Sequence, residues 1–362
     1  MTAENFLRDP QKMTELAAAI KEIDLSARQF IIMEVCGTHT MSIFRYGIKQ
    51  LLPDNLRLIS GPGCPVCVTP VASIAQAIAI ARLPKMIFTS FGDMLRVPSA
   101  EDSLALCRDE GCDVRVVLSP LDALKIAAAN PDREVVFFAV GFETTAPTTA
   151  MTLKIAREQK ISNFRIISAH KTMPQALRSL LGAGHHSDAL LCPGHVAAIT
   201  GAASFDFVAS KLKLPAAVSG FEPVEIMTAL LVLAKQLAIG EARLVNAYPR
   251  AVRENGNPTA LAALAEVFMP STAKWRGLGT IADSGLELRA GYADFDALRY
   301  YQPAESAVTD NPGCRCGLVL RGEITPAECP LMGKVCTPDS PQGACMVSSE
   351  GSCAAYYKYT SR

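Results

Sequence analysis

The chain carries no surplus charge of either sign: 35 lysines and arginines balance 35 aspartates and glutamates over 362 residues. That balance leaves no electrostatic footprint for nucleic acid or for an anionic membrane surface, and neither is expected as a partner. No secretory leader is expected either, because Glu4, Arg8 and Asp9 interrupt the positions where its apolar run would lie. No stretch is fit to cross a membrane. Residues 189–205 are uncharged but broken by Pro193, Gly194 and Gly201, while residues 226–239 are too few and include Lys235. The expected setting is therefore cytoplasmic, where thiols stay reduced and grouped cysteines mean metal or redox chemistry more often than structural bridges. There is no G-x-x-x-x-G-K-[ST] phosphate loop and no G-x-G-x-x-G, which leaves nucleotide binding with little support. The absence of G-x-S-x-G and of H-E-x-x-H weakens hydrolase readings.

Cysteine is what the chain has in quantity. Half of its twelve cysteines lie between residues 314 and 353: Cys314, Cys316, Cys329, Cys336, Cys345 and Cys353. The same stretch is rich in proline and glycine, so it forms neither a long helix nor a central strand. A coil of that kind is expected to need something other than its own packing to fix it, and thiolates gathered on a metal centre would do so. The last four cysteines are separated by six, eight and seven residues, unlike the paired C-x2-C of a zinc ribbon. Wide spacing in a flexible coil suits a cubane iron–sulfur cluster, whose corners lie further apart than the ligands of one tetrahedral ion. A structural zinc, or disulfides and free thiols, are the other readings of the same residues.

Ahead of the tail the pattern is regular. Residues 10–22 have apolar side chains at helical spacing, with Asp9 placed to cap and Pro10 to start the helix. Short apolar runs follow at 30–35, 56–60, 86–90, 114–118, 135–140, 164–168, 189–192 and 216–219. Ala- and Leu-rich segments long enough for helices lie between most of them, at 71–82, 120–129, 148–159, 174–181 and 224–239. Buried strands alternating with helices predict an α/β fold built on parallel sheets. Two apolar strands share a following glycine, Gly92 or Gly141, and a proline six residues on, Pro98 or Pro147; Gly141-Phe142-Glu143 recurs as Gly220-Phe221-Glu222. These echoes predict two related parallel-sheet α/β domains, over residues 1–130 and 131–240. Residues 241–362 are then a third region ending in the cysteine-rich iron–sulfur segment.

The motifs fall at turns after strands, where open α/β sheets bind ligands. In Glu34-Val35-Cys36-Gly37-Thr38-His39-Thr40, a helix starting near Thr40 would aim its N-terminus at Cys36. That partial charge, with a protonated His39, is expected to favour the thiolate. Thiolate and imidazole also ligate iron; a buried Cys beside a turn His is the plainer alternative. Gly63-Cys64-Pro65-Val66-Cys67 has the spacing of a redox thiol pair, and the same two residues could hold metal. Asp93, Arg96 and Glu143 sit at further turns, able to meet a ligand or to cap a helix. Cys192-Pro193-Gly194-His195 offers a thiol and an imidazole for redox work or a pocket wall. His170 and the His185–His186 pair are weaker candidates. Cys107 and Cys112 read as structural.

Taken together, EVCGTHT, GPGCPVC, FGDMLRVPS, GFETTAPT, CPGHV and CTPDSPQGACMVSSEGSCAAYY resemble the hydrogenase maturation (expression/formation) protein HypD family, in order from about residue 30 onward. The resemblance implies an α/β protein with a [4Fe-4S] cluster in its C-terminal region. It also implies a part in building the Fe(CN)2CO group of [NiFe] hydrogenases, on a scaffold shared with a HypC chaperone and supplied with cyanide by HypE. Carried over by position, Cys36 is expected to hold the nascent iron, with His39 beside it. Cys64 and Cys67 match the redox pair. Cys329, Cys336, Cys345 and Cys353 are the expected cluster ligands, with Cys314 and Cys316 also in the family pattern. His39, Glu143 and His195 are expected to line an interdomain cleft around Cys36. Such a protein is an assembly scaffold with redox activity rather than a turnover enzyme; an iron–sulfur-dependent disulfide or dithiol reductase is the alternative.

Overall fold

The computed structural model describes residues 6–182, 184, 187–304 and 307–360; the His185–His186 pair lies outside the described residues. The eight apolar runs become strands β1 (Phe30–Glu34), β2 (Leu56–Ser60), β3 (Met86–Ser90), β4 (Asp113–Val116), β5 (Glu134–Gly141), β6 (Phe164–His170), β7 (Ala189–Pro193) and β8 (Ala216–Ser219). A short ninth strand, β9 (Leu244–Asn246), follows. Central strands such as β5 and β7 are buried along both faces, which is why they read as unbroken apolar runs rather than alternating ones.

Every pairing among these nine strands is parallel, and they form two sheets: β2-β1-β7-β8-β9 and β4-β3-β5-β6. The chain leaves the first sheet after β2, builds all of the second, and returns at β7. The expected division at 130/131 therefore does not follow sheet membership. It falls between β4 and β5, which share a sheet, and residues 131–240 supply strands to both sheets. The physical reason is that β1 is a central strand. Its second edge is completed by β7, across more than a hundred residues, and a count of alternating strands and helices cannot register that return.

Helices cover the faces with the expected caps. The Pro10–Lys21 helix starts on Asp9, whose Oδ1 accepts from the Gln11 amide at 2.9 Å. It packs on the Pro223–Ile239 helix, and an Arg8–Glu222 ion pair of 2.6 Å joins the starts of the two. Among the described residues no helix is long and apolar enough to cross a membrane.

Past Gly240 the architecture changes. Strands β10 (Phe268–Trp275) and β11 (Gly279–Leu288) form an antiparallel hairpin, with a register shift between Ser271 and Ala273. It hangs on the end of β6 through the Thr172 amide, which donates to the Ser284 carbonyl at 2.9 Å. The hairpin tip reaches the cysteine motifs. The Arg276 amide donates to the Val68 carbonyl at 2.8 Å, and Arg321 Nη1 donates to the Gly277 carbonyl at 2.5 Å. Gly277 has φ of +78°, and a Cβ there would lie 2.5 Å from the Gly317 Cα. Only glycine meets both demands.

The tail is a coil punctuated by the short helices Cys316–Leu320, Ala344–Val347 and Ser352–Thr360. It is also better packed than its composition predicts. Cys345, Met346, Val347 and Cys353 belong to the same apolar core as Met33, Val35, Cys64 and Phe138. Substituting Gly277→Ala forces a left-handed alanine against Gly317, and we expect a loss of about 1–3 kcal/mol. The midpoint of a denaturant titration followed by circular dichroism reads that loss directly.

Candidate functional site

The site is built where β1 and β2 end. Cys36 caps the Gly37–Arg45 helix in extended conformation, with φ of −151°. The Gly63 Cα lies against its backbone so closely that an added Cβ would sit 2.3 Å from the Cys36 nitrogen. Two amides bind the strand ends together: Gly61 donates to the Glu34 carbonyl at 2.7 Å, and Gly37 to the Gly63 carbonyl at 3.1 Å. The Cys36 and Cys64 motifs, separate in sequence, thus run side by side. Beneath them the buried Glu34 accepts from the Thr40 hydroxyl at 2.5 Å and from the Cys36 amide at 3.1 Å, and burial pushes its carboxyl upward.

The expected electrostatics of Cys36 are reversed. Burial, reinforced by the charges of Glu350 and Glu34, pushes its thiol up to about 12. The Thr38 and His39 amides of the helix start pull the other way and are outweighed. Nor is His39 protonated: burial brings it down to about 4. Its Nε2 lies 2.9 Å from the Gly220 carbonyl. A carbonyl only accepts, so that nitrogen carries the proton and Nδ1 keeps a lone pair. Nδ1 is buried and has no hydrogen-bond partner among the described residues.

His195 joins this group through Phe221. The Phe221 ring stacks on His195 at 3.7 Å and on His39 at 4.8 Å, bringing turns after β7 and β8 onto the one after β1. Phe221 belongs to the repeated Gly-Phe-Glu, and that repetition is the signal that could have marked it.

The loop Ser348-Ser349-Glu350 ties the tail to all of this. Glu350 Oε1 accepts from the Thr38 hydroxyl at 2.7 Å, and the Glu350 backbone packs where a side chain on Gly37 would stand. The Cys64 thiol donates to Ser348 Oγ at 3.2 Å. Asp93 Oδ2 accepts from the Ser349 amide at 2.9 Å and from the hydroxyls of Ser349 and Ser348 at 3.0 and 3.2 Å. Asp93 is therefore a dock for the tail. Sequence reasoning gave no role to Ser348, Ser349 or Glu350.

A second buried thiol group lies beyond. Cys64 opens the Pro65–Val68 turn, and the Cys67 amide donates to its sulfur at 3.2 Å. Cys67 also neighbours Cys345; burial and these two thiols raise it well above the ordinary range. Cys345 in turn touches Cys316 and Cys353, and Cys316 touches Cys314. All six tail cysteines line one narrow cavity of about 10 Å³, with walls that include Leu331, Met332 and Met346. Gly343 leaves room beside it, since a Cβ there would lie 2.8 Å from Cys314 Sγ, and the Gln342 amide donates to Cys336 Sγ at 3.4 Å. Among the described residues no three His, Cys, Asp or Glu side chains converge as they would on a single ion. The thiols face one another across a narrow gap, a donor set of the kind that binds iron or zinc.

Other expected site residues have structural partners of their own. Both oxygens of Glu143 accept from the Met173 amide, at 3.0 and 3.2 Å, so the carboxylate caps a helix beside the second sheet. His170 Nε2 pairs with Thr149 at 3.1 Å. Cys192 is sealed inside β7, where burial alone raises its thiol. Cys107 and Cys112 are neighbours at the edge of the second sheet.

A family profile described as HypD, hydrogenase formation hypA family, matches residues 11–360. The chain is 45% identical over 359 residues to the "Hydrogenase maturation factor HypD" of Escherichia coli (strain K12), covering 97% of this chain and 96% of that protein. It is 43% identical over 361 residues to the protein of the same name from Rhizobium leguminosarum bv. viciae, covering 97% and 94%. With that of Rhodobacter capsulatus it shares 44% over 355 residues, covering 96% and 94%.

The buried Glu143 makes stability depend on pH. Its carboxyl is raised from 4.5 to about 7, so the folded chain holds a proton that the unfolded chain releases. Stability should therefore fall as pH rises from about 4.5 to about 7. Glu143→Gln should flatten that part of the profile, as read from denaturant midpoints at a series of pH values.

Proposed function

The chain belongs to the HypD family of hydrogenase formation proteins, and from that membership we propose that it serves hydrogenase maturation as the scaffold on which the Fe(CN)2CO group of a [NiFe] hydrogenase is assembled. The iron is cargo. Cys36 holds it together with a cysteine of a HypC-type chaperone, and a HypE-type protein supplies cyanide. The observation that carries this reading is adjacency: Gly63 presses Cys36 against the Cys64–Cys67 turn, and Cys67 meets Cys345 at the wall of the cysteine cavity.

The chain's own residues suit the work. Buried and uncharged, Cys36 gives up its proton only when another cation takes the proton's place, which makes it selective for a metal over solvent. His39 Nδ1, unprotonated and without a hydrogen-bond partner among the described residues, offers a second donor in the same water-poor corner. Phe221 and the two imidazoles keep that corner apolar and rigid. The cavity thiols supply more than the four ligands a [4Fe-4S] cluster needs, all but Cys314 buried, and Cys329, Cys336, Cys345 and Cys353 are the residues proposed to hold it. When bound, such a cluster supplies electrons one at a time. Cys64 and Cys67 can supply a pair, closing a disulfide as two electrons and two protons leave. A dithiol reductase would use the Cys67–Cys345 contact equally well, but it has no use for Cys36.

Anaerobic copurification with the chaperone, followed by infrared spectroscopy and iron–sulfide analysis, tests the reading. The wild-type complex should show cyanide and carbonyl bands and carry iron and sulfide. Cys36→Ala should lose the bands and hydrogenase maturation while keeping the cavity's iron. A Cys36→Ala protein that still matures hydrogenase overturns the anchoring role. Cys345→Ser should lose most of its iron and sulfide, and an unchanged content removes Cys345 from the ligand set.

A further inference from the structure

Arg276, at the hairpin tip, is a buried cation with most of its hydrogen-bonding capacity idle. Its side chain is 2% exposed, and an ion pair runs from Nη2 to Asp310 Oδ1 at 2.5 Å. Nε and Nη1 are buried and have no hydrogen-bond partner among the described residues. Asp310 is 42% exposed, so water screens the acid far more than the base. A guanidinium left in this state inside a protein is costly unless an acceptor or an anion meets the free donors.

The neighbourhood says what that acceptor is. The Arg276 amide is bonded to Val68, next to Cys67, and Gly277 lies against Gly317, next to Cys316. Arg276 lines the same cleft as Asp310, Pro312 and Gln342; Pro312 lies two residues before Cys314, and the Gln342 amide donates to Cys336 Sγ. The hairpin tip thus lies between the Cys64–Cys67 turn and the Cys316 helix, and it carries a fixed positive charge. No role in the chemistry described above uses it.

We infer that Arg276 is a positioning residue for the cysteine cavity: its free Nε–H and Nη1–H serve anionic sulfur on the Cys314–Cys316 side, and its charge sets how readily the loaded cavity takes up an electron. The inference rests on the cluster assignment proposed above. Asp310 is the counterweight, holding one end of the guanidinium and offsetting part of its charge. Lysine would keep the charge but lose the fork of donors.

The test is an anaerobic redox titration followed by electron paramagnetic resonance, with iron and sulfide measured on every sample. Wild type, Arg276→Gln, Arg276→Lys and Asp310→Asn are compared. Arg276→Gln should shift the midpoint potential to more negative values, Arg276→Lys should recover most of that shift, and Asp310→Asn should move the potential the opposite way. A hairpin role alone would change stability without this pattern of signs. Full iron content with unchanged potentials in Arg276→Gln and Asp310→Asn overturns the inference and leaves the cluster assignment standing. Should Arg276→Gln fail to fold, Asp310→Asn decides, because Asp310 is partly exposed, and an unmoved potential there overturns the inference. Wild-type protein free of iron and sulfide overturns the cluster assignment, and the inference with it.

Discussion

The close approach of Gly63 to Cys36 is the constraint on which the remaining geometry depends. Two strand ends are drawn together until one backbone touches the other, with no side chain between them. That contact lies between neighbouring parallel strands, so the sheet itself supplies the alignment. From it follow the juxtaposition of Cys36 with the Cys64–Cys67 turn and the burial that keeps the Cys36 thiol protonated. The seat for Glu350 on Gly37 follows the same logic of close approach. Electrostatics is the consequence here and packing is the cause. A helix start that would activate an exposed thiol loses to desolvation once the same thiol lies under the tail.

The two Gly-Phe-Glu turns show how one local pattern serves different ends. After β8, Phe221 stacks on His195 and His39, while Glu222 pairs with Arg8. After β5, Phe142 stacks on Trp275 at 5.9 Å, and Glu143 caps the helix at Met173. Both aromatics fix the orientation of a neighbouring turn. One does so within the corner around Cys36, and the other anchors the hairpin whose tip reaches the cysteine cavity.

These contrasts show what can be read from a single chain. Strands such as β5 and β7 are legible because full burial demands unbroken apolar runs, and Asp9 with Pro10 announces a helix without tertiary help. The β10–β11 hairpin is not legible. Its first strand reads Phe-Met-Pro-Ser-Thr-Ala-Lys-Trp, with Pro270 inside it and exposed residues through its middle. The cysteine motifs stand out because thiols beside glycine and proline rarely have a packing explanation. Glu350, Asp93 and Phe221 are different, since their roles arise only when distant segments dock. Glu143 is ambiguous for a related reason: an acidic residue at a strand end reads the same whether it faces a ligand or caps a helix.

The long excursion between β2 and β7 has a consequence for synthesis. A ribosome delivers Cys36 and the Cys64–Cys67 turn early, yet the strand that completes β1 comes more than a hundred residues later. The carboxylate that closes over Thr38 is separated from it by 312 positions. For most of translation the nascent polypeptide must expose its most oxidisable groups to whatever metals and oxidants surround it. Protection arrives only when the C-terminal coil emerges, so until then the thiols of the unfinished chain stay open to whatever surrounds them.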